Sequence, residues 1–204
     1  MAKISTYPVD SSISGLDILI GSDADNANIT KNYKIGDIST YVKSTLNLAV
    51  TQVLAASDTT NQEPSGLNEP LQVKFGPAQY TDDDPVKLDN FGNITFNQAG
   101  FYLFNGYGNF ERQGSSGGVT VTLFRVLLNG IQKGPTKGVE LSGTGIMFPY
   151  ELTIPIQVNE GDVLTWEIMR DSSGVDRGGL YVHEANGGWE NVPSSDVFIY
   201  KVGI

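Results

Sequence analysis

Few side chains in this sequence could carry out acid–base or nucleophilic chemistry. His183 is the only histidine and there is no cysteine, so a catalytic triad would depend on one imidazole. No serine stands in the strand-to-helix turn of a nucleophile elbow. The acidic candidates are glutamates without a shared motif, Glu140, Glu151, Glu167 and Glu184. We therefore predict no catalytic residue and no enzyme activity.

Two short acidic runs could supply oxygen ligands to a metal ion. The run Asp23–Asn28 begins like a calcium loop, but its sixth position is Asn28 and its twelfth is Lys34, which excludes an EF-hand. The run Asp82–Asp84 either binds Ca²⁺ in a loop or forms a solvated acidic turn. We assign no metal ligand and no cofactor, and leave both interpretations of Asp82–Asp84 open.

Charge and hydropathy exclude two classes of partner. The chain carries 13 Lys and Arg residues against 23 Asp and Glu residues, a formal net charge of −10. An acidic balance without a basic cluster disfavours nucleic acid. No apolar run approaches the roughly 18 residues of a membrane span, and Met1–Ser5 does not begin a signal peptide. We expect neither nucleic acid nor a membrane as a partner.

The elements that position these residues are mainly strands. Glycine occurs 24 times, and after Pro70 runs of alternating polarity are separated by turn residues, which is typical of strands. About eight such runs predict a mainly β, antiparallel two-sheet sandwich, most simply a jelly roll. The predicted strands are Leu71–Gly76, Asn93–Asn97, Phe101–Arg112, Val119–Asn129, Ile146–Val158, Asp162–Asp171, Gly179–His183 and Asp196–Val202.

The first 36 residues have a different composition. They are polar and too poor in large apolar side chains to offset the entropy of ordering alone. We predict an extended arm over residues 1–36 that becomes ordered on a partner. The apolar cluster that would anchor this arm consists of Leu16, Ile18, Leu19 and Ile20.

A short helix and a neck follow the arm over residues 37–69. Asp37 can cap the helix start, and Ile38 and Val42 begin an apolar stripe that extends the anchor. The stripe forms either a trimeric coiled coil or two shorter helices docked on a partner. Ala56–Glu69 has turn composition and predicts a linker before a globular head over residues 70–204. The full stripe is Ile38, Val42, Leu46, Ala49 and Val53.

The two tryptophans differ in setting. Trp166 lies in a predicted strand, so we expect it in the core. Trp189 lies in the glycine-rich segment Asn186–Asn191, where its ring either packs the loop onto the sandwich or is exposed and stacks on a sugar or a partner.

Several motifs resemble the jelly-roll superfamily of tumour necrosis factor and complement C1q. Asn93–Phe104 resembles its strand-turn-strand signature, and Val158–Trp166 resembles its later Gly-Asp turn. Val197–Val202 occupies the place of its final, central strand. The resemblance implies a homotrimer in which some aromatics pack in the core and others between protomers. The residues that carry it are Phe96, Gly100, Tyr102, Phe104, Gly161 and Asp162.

A second resemblance concerns the N-terminal part. Leu16–Ile38 is similar to the N-terminal segments of many tailed-bacteriophage fibre and head-fibre proteins, including those of crAss-like phages. Thr51–Ala55 followed by Asp58–Thr60 is similar to a phrase found just downstream in such proteins. The resemblance implies a virion protein, made in the cytoplasm of the host bacterium, whose N-terminus binds the capsid or other virion proteins.

These observations lead to one main hypothesis and its rivals. A short anchor with one small head predicts a non-enzymatic virion structural protein, a trimeric head fibre or capsid decoration subunit. The alternative is a tail-associated receptor-binding protein that touches host glycan through loops such as Gly114–Gly118 and Asn186–Asn191. A carbohydrate-active enzyme on a jelly roll would need two convergent carboxylates in a cleft. A soluble C1q-like ligand is disfavoured by the phage-like N-terminus.

Overall fold

The structure is a computed structural model of the chain, and it describes residues 16, 18–23, 29–46, 50–81, 85–114, 118–171 and 177–203. The chain divides into two compact units. One comprises Met1–Ala49 with Gly203–Ile204 and is called the N-terminal unit, and the other comprises Val50–Val202 and is called the head. The elements of the described residues are β1 Ile18–Asp23, β2 Ile29–Lys34, α1 Ile35–Leu46, β3 Val50–Asp58, β4 Leu71–Gln72, β5 Ala78–Thr81, β6 Val86–Leu88, β7 Ile94–Phe96, β8 Gly100–Gln113, β9 Thr120–Leu128, β10 Ile131–Leu141, β11 Phe148–Val158, β12 Val163–Arg170, β13 Arg177–Leu180 and β14 Ser195–Val202.

The described part of the N-terminal unit is a hairpin followed by a helix. Strands β1 and β2 pair antiparallel, with Ile18 opposite Lys34 and Asp23 opposite Ile29. Ile18–Asp23 and Ile29–Lys34 therefore differ from the predicted extended arm, because the backbone groups of the two strands satisfy each other. Helix α1 begins two residues before the predicted cap, so that Asp37 lies in its first turn. There the negative charge of its carboxylate interacts favourably with the positive end of the helix dipole.

The helix ends at Leu46, earlier than the stripe to Val53 predicted. Val50–Asp58 is strand β3, which pairs antiparallel with β14. Within it Val53 and Leu54 are buried, so pairing and burial in the sheet override a helical period built on only five residues. The head therefore begins near Val50, twenty residues before the predicted start.

The head is an antiparallel jelly-roll sandwich, and the predicted fold class is confirmed. Sheet I has the strand order β11-β8-β14-β3-β5, with β13 added on β8. Sheet II has the order β10-β9-β12-β7-β6, with β4 added on β12. The last strand, β14, lies in the centre of sheet I between β8 and β3, the central position that the jelly-roll resemblance implies.

The segment predicted as the linker Ala56–Glu69 is part of the head. Ala56 to Asp58 continue β3, and the following Gln62 is buried and exchanges two backbone hydrogen bonds with Leu180, at 2.8 and 2.9 Å. Its side-chain Nε2 donates to the Lys74 carbonyl oxygen at 2.9 Å, and its Oε1 accepts from the Lys74 N–H at 2.7 Å. The Gln62 amide can be buried because it bonds both backbone groups of Lys74, as a neighbouring strand would.

The core between the two sheets is built around Trp166, which lies there as predicted. Its ring stacks on Phe75, with centroids 6.1 Å apart, and meets Phe104 edge-on at 6.4 Å. A Cβ atom at Gly108 would lie 2.8 Å from Cη2 of the indole. The inward glycine on β8 thus leaves the space that the largest core side chain occupies.

Candidate functional site

The outer side of sheet I carries mostly apolar and aromatic residues. On β8, Tyr102 and Phe104 belong to the core. Because side chains alternate along a strand, Phe101 and Leu103 point to the opposite, outer side. On the neighbouring β14, Tyr200 is paired with Leu103 and lies on the same side. This outer set, which we call the aromatic face, consists of Val50, Phe101, Leu103, Tyr107, Phe198, Tyr200 and Val202.

The aromatic face is open to solvent in the single chain. Val50 is 57% exposed and Phe101 is 40% exposed, and the other five members are half-buried. Among the described outward residues of β3, β8, β11 and β14, the charged ones are Glu111, Glu151 and Asp196, all acidic. Asn105 interrupts the apolar members between Leu103 and Tyr107, so the face is mainly apolar. An exposed patch of this kind is typical of surfaces that another macromolecule covers.

Asp196 is the unusual group of this face. It is paired in register with Tyr107 on one side and Ser57 on the other, and its Oδ1 atom is buried without a hydrogen-bond partner. Burial raises the pKa of the Asp196 carboxyl, and a hydrogen bond from Ser57 only partly opposes that rise. The pKa of the Tyr107 hydroxyl is raised by burial and by the negative charge of Asp196. The face is therefore least polar when Asp196 is protonated.

The N-terminal unit has an apolar groove of its own. The groove has a volume of about 440 Å³ and is lined by Tyr33, Asp37, Ile38 and Tyr41. Of the predicted anchor residues, Ile38 thus lines the groove and Val42 is exposed nearby on α1. Leu16 is exposed, whereas the side chains of Ile18, Leu19 and Ile20 on β1 lie outside the described residues.

Four of the six residues of the jelly-roll signature, Phe96, Tyr102, Gly161 and Asp162, lie close together. The rings of Phe96 and Tyr102 are 4.7 Å apart, and Phe96 exchanges backbone hydrogen bonds with Gly161 and Asp162 at 2.7 and 2.9 Å. The carboxylate of Asp162 accepts hydrogen bonds from the Asn159 N–H and from the side-chain amide of Asn129, and both bonds lower its pKa. The remaining two members lie on β8, where Gly100 is the first residue and Phe104 is buried in the core.

The loop between β13 and β14 displays Trp189. His183 and Val192 close the loop through two backbone hydrogen bonds of 3.1 and 2.9 Å. Trp189 at its tip is 82% exposed, so of the two interpretations of this ring the structure has the exposed one. His183 is itself exposed in this loop.

The remaining candidates for chemistry are not brought together. Asp82–Asp84 lies outside the described residues, and within the described ranges no three His, Asp or Glu side chains are grouped as metal ligands. Gly114–Gly118 has the letters Gly-x-Ser-x-Gly, but it connects the strands β8 and β9 rather than a strand and a helix, and residues 115–117 lie outside the description. No helix in the described part of the chain is long and apolar enough to span a membrane.

Comparisons with known proteins cover family models, curated proteins and solved structures. No protein-family model matches this sequence, and no curated protein matches it. Among solved structures, the Eiger tumour necrosis factor from S. frugiperda is similar, with 12% identity and a TM-score of 0.46. The similarity covers 75% of this chain and 94% of that chain. The assignment of the fold rests on the strand order and register described above.

Proposed function

We propose that this chain is a non-enzymatic structural protein of a bacteriophage particle, a homotrimeric head fibre or capsid decoration subunit. In this proposal the N-terminal unit binds the capsid or another virion protein, and the jelly-roll head is displayed. The observation that carries the proposal is the aromatic face of sheet I. The phage-like sequence Leu16–Ile38 supplies the setting.

The aromatic face supports self-association about a three-fold axis. Its central strands, β8 and β14, present Leu103 opposite Tyr200 and Phe101 opposite Val202, so that apolar side chains lie in adjacent rows. The resemblance to the C1q and tumour necrosis factor jelly rolls implies that aromatics of this kind pack between protomers. A cyclic interface lets each of three identical chains cover part of this face.

The apolar groove supports the anchor role of the N-terminal unit. Tyr41 is 69% exposed and lies beside Ile38 along the groove. An aromatic side chain at the centre of an apolar surface contributes strongly to binding when a partner covers it. Binding to the virion should therefore depend on apolar contacts here more than on charge.

Mass measurement tests the oligomeric state. Light scattering of the full chain at micromolar concentration should give a stable species of three times the 22.0 kDa chain mass. A monomer, or a dimer that does not change with concentration, would contradict the trimer.

Particle binding tests the virion role. Full-length protein added to phage particles that lack the native subunit should co-sediment with them, and Tyr41→Lys in the groove should abolish this. The matched control is Thr165→Lys on the outer side of sheet II, which should leave co-sedimentation unchanged. Equal binding by both variants would contradict the anchor assignment, and no binding by the wild type would contradict the virion role.

A second candidate function is adhesion to host glycan by a tail-associated receptor-binding protein. The exposed ring of Trp189 in a closed loop favours it, since such rings stack on sugars. Purified protein should then bind host cells, and Trp189→Ala should remove that binding while keeping the trimer. Binding that survives Trp189→Ala would exclude this loop as the adhesive surface.

A further inference from the structure

Three asparagines in this chain are followed directly by glycine. They are Asn105, Asn129 and Asn186. In such a pair the backbone nitrogen of the glycine can attack the side-chain amide carbon of the asparagine, because glycine has no Cβ atom to obstruct the approach. The attack requires that the asparagine side chain and the following peptide unit rotate toward each other. The fold therefore decides which of the three pairs can react.

The first pair lies in the middle of sheet I. Asn105 and Gly106 belong to β8, which is paired with β11 on one side and with β14 on the other. The side-chain Nδ2 of Asn105 donates to Oε1 of Glu151 at 2.8 Å. Rotation of this peptide unit would disturb the backbone hydrogen bonds of both strand pairs, so the sheet holds the pair in its extended conformation.

The second pair forms the tight turn between β9 and β10. Both residues have a positive φ, 52° at Asn129 and 75° at Gly130, as the favoured two-residue hairpin turn requires. The side chain of Asn129 is held through both of its polar atoms. Its Nδ2 donates to Oδ1 of Asp162 at 2.7 Å, and its Oδ1 accepts from the Val163 N–H at 2.8 Å. Reaction at this pair would first have to break both bonds.

The third pair lies in the exposed loop between β13 and β14. A hydrogen bond of 3.1 Å from the Ala185 N–H to Oδ1 of Asn191 spans this part of the loop, and Asn186 itself is exposed. The residues that follow it, Gly187 and Gly188, have φ values of +74° and +84°. Apart from their chain neighbours, no atom of the described residues lies within 4 Å of a Cβ atom placed on either glycine. Two successive glycines in open space allow the peptide unit to rotate.

We propose that Asn186 is a site of spontaneous deamidation. Hydroxide removes the proton of the Gly187 nitrogen, which attacks Cγ of Asn186. The bond from Cγ to Nδ2 then breaks, and the leaving nitrogen takes a proton from water and departs as ammonia, so that a five-membered succinimide ring remains. Water adds to one of the two ring carbonyls and opens the ring. The products are aspartate and isoaspartate, and no atom is oxidised or reduced.

The modification changes the loop that displays Trp189. Each conversion adds one negative charge three residues before this ring. Isoaspartate also lengthens the main chain by the Cβ atom, which alters the path of the loop. The surface around Trp189 should therefore become heterogeneous as the protein ages, while the sandwich and the aromatic face keep their structure. This inference does not depend on the trimer or on the virion role.

Peptide mapping of aged protein tests the proposal. Full-length protein is incubated at mildly alkaline pH, and each Asn-Gly pair is followed by mass spectrometry with electron-transfer fragmentation, which distinguishes isoaspartate from aspartate. Asn186 should react at least about tenfold faster than Asn105 or Asn129, because hydrogen bonds hold the other two pairs in place. Its products should be a mixture of the two isomers. In concentrated urea the three pairs should react at similar rates, because the fold no longer restrains them.

Two matched glycine variants locate the attacking nitrogen. Gly187→Ala should slow deamidation of Asn186 at least about tenfold, because the added methyl group obstructs the attack. Gly188→Ala makes the same change at a similar backbone conformation and should leave the rate largely unchanged. Asn186 reacting no faster than Asn129 in the folded protein, aspartate as the only product, unequal rates that persist in urea, or equal slowing by both variants would each overturn the proposal.

Discussion

The outer sides of the two sheets differ although their strands alternate in the same way. On sheet I, Phe101, Leu103 and Tyr200 form adjacent apolar rows. On sheet II, the corresponding rows of β9 and β12 hold Arg125 and Glu167, a charged pair at 2.8 Å, among apolar residues that include Leu123, Leu127 and Met169. Both sheets share one core, so the difference does not serve the folding of the single chain. The difference supports the proposed self-association through sheet I.

The largest effect should come from the core on which both outer sides rest. Phe104→Ala removes a buried ring beside Trp166 and should lower the free energy of unfolding by about 3–5 kcal/mol, measured by urea denaturation followed by circular dichroism. Its neighbour Leu103 points outward, so Leu103→Ala should change assembly and largely keep the fold. Wild-type stability of Phe104→Ala would contradict the register of β8.

The next largest effect should distinguish the two outer sides. Tyr200→Lys places a charge in the middle of the aromatic face and should weaken trimer formation by at least about thirtyfold, as expected for an aromatic side chain central to an interface. Thr165→Lys makes a comparable change on sheet II and should leave the mass unchanged. Sedimentation velocity over a range of concentrations measures both. If the two variants behave alike, the comparison between the sheets fails.

A smaller effect should appear with pH on the aromatic face. The pKa of Asp196 is raised above 3.8 by burial, so the folded chain holds this proton at pH values where the unfolded chain has released it. The stabilising contribution is fully present below the unfolded pKa and is lost as the pH rises through the folded pKa. Covering the face in a trimer would bury the carboxylate further, so acidification should strengthen assembly.

Asp196→Asn checks this prediction, because the amide cannot ionise. The difference between the pH profiles of trimer dissociation for the variant and the wild type gives the contribution of the Asp196 carboxyl. The neighbouring titratable groups on this face are Tyr107 on β8 and Glu151 on β11, and both remain in the variant. Identical pH profiles would show that Asp196 does not face the interface.

The smallest effect should come from the ion pair on sheet II. Arg125 and Glu167 are partly exposed, and pairs of this kind contribute about 0–1 kcal/mol to stability. Glu167→Gln should therefore keep the melting temperature and the trimer, measured by calorimetry and light scattering. A loss of stability comparable with that of Phe104→Ala would mean that the pair supports the fold.

Most of the head could be predicted from sequence where local pattern and burial agree. The runs that became β8, β9, β11, β12 and β14 alternate strongly and are bounded by turn residues, so the eight-strand sandwich was predicted from them. Strand β10 was missed because its stretch Ile131–Leu141 contains two glycines and a proline and has an interrupted alternation. Strand β3 was missed because Val53 also satisfied a helical period.

The candidate sites depend on long-range contacts even more than the fold does. Sequence alone determined the acidic charge, the lack of cysteine, the alternating aromatic strands and the glycine-rich setting of Trp189; the exposure of its ring was decided by the structure. It did not determine that Arg125 and Glu167, 42 residues apart, form an ion pair, or that Asp196 lies between Tyr107 and Ser57. Those neighbours are fixed by strand order and register, which arise from long-range pairing across the sheets, and no local pattern of residues encodes which distant strand becomes the neighbour.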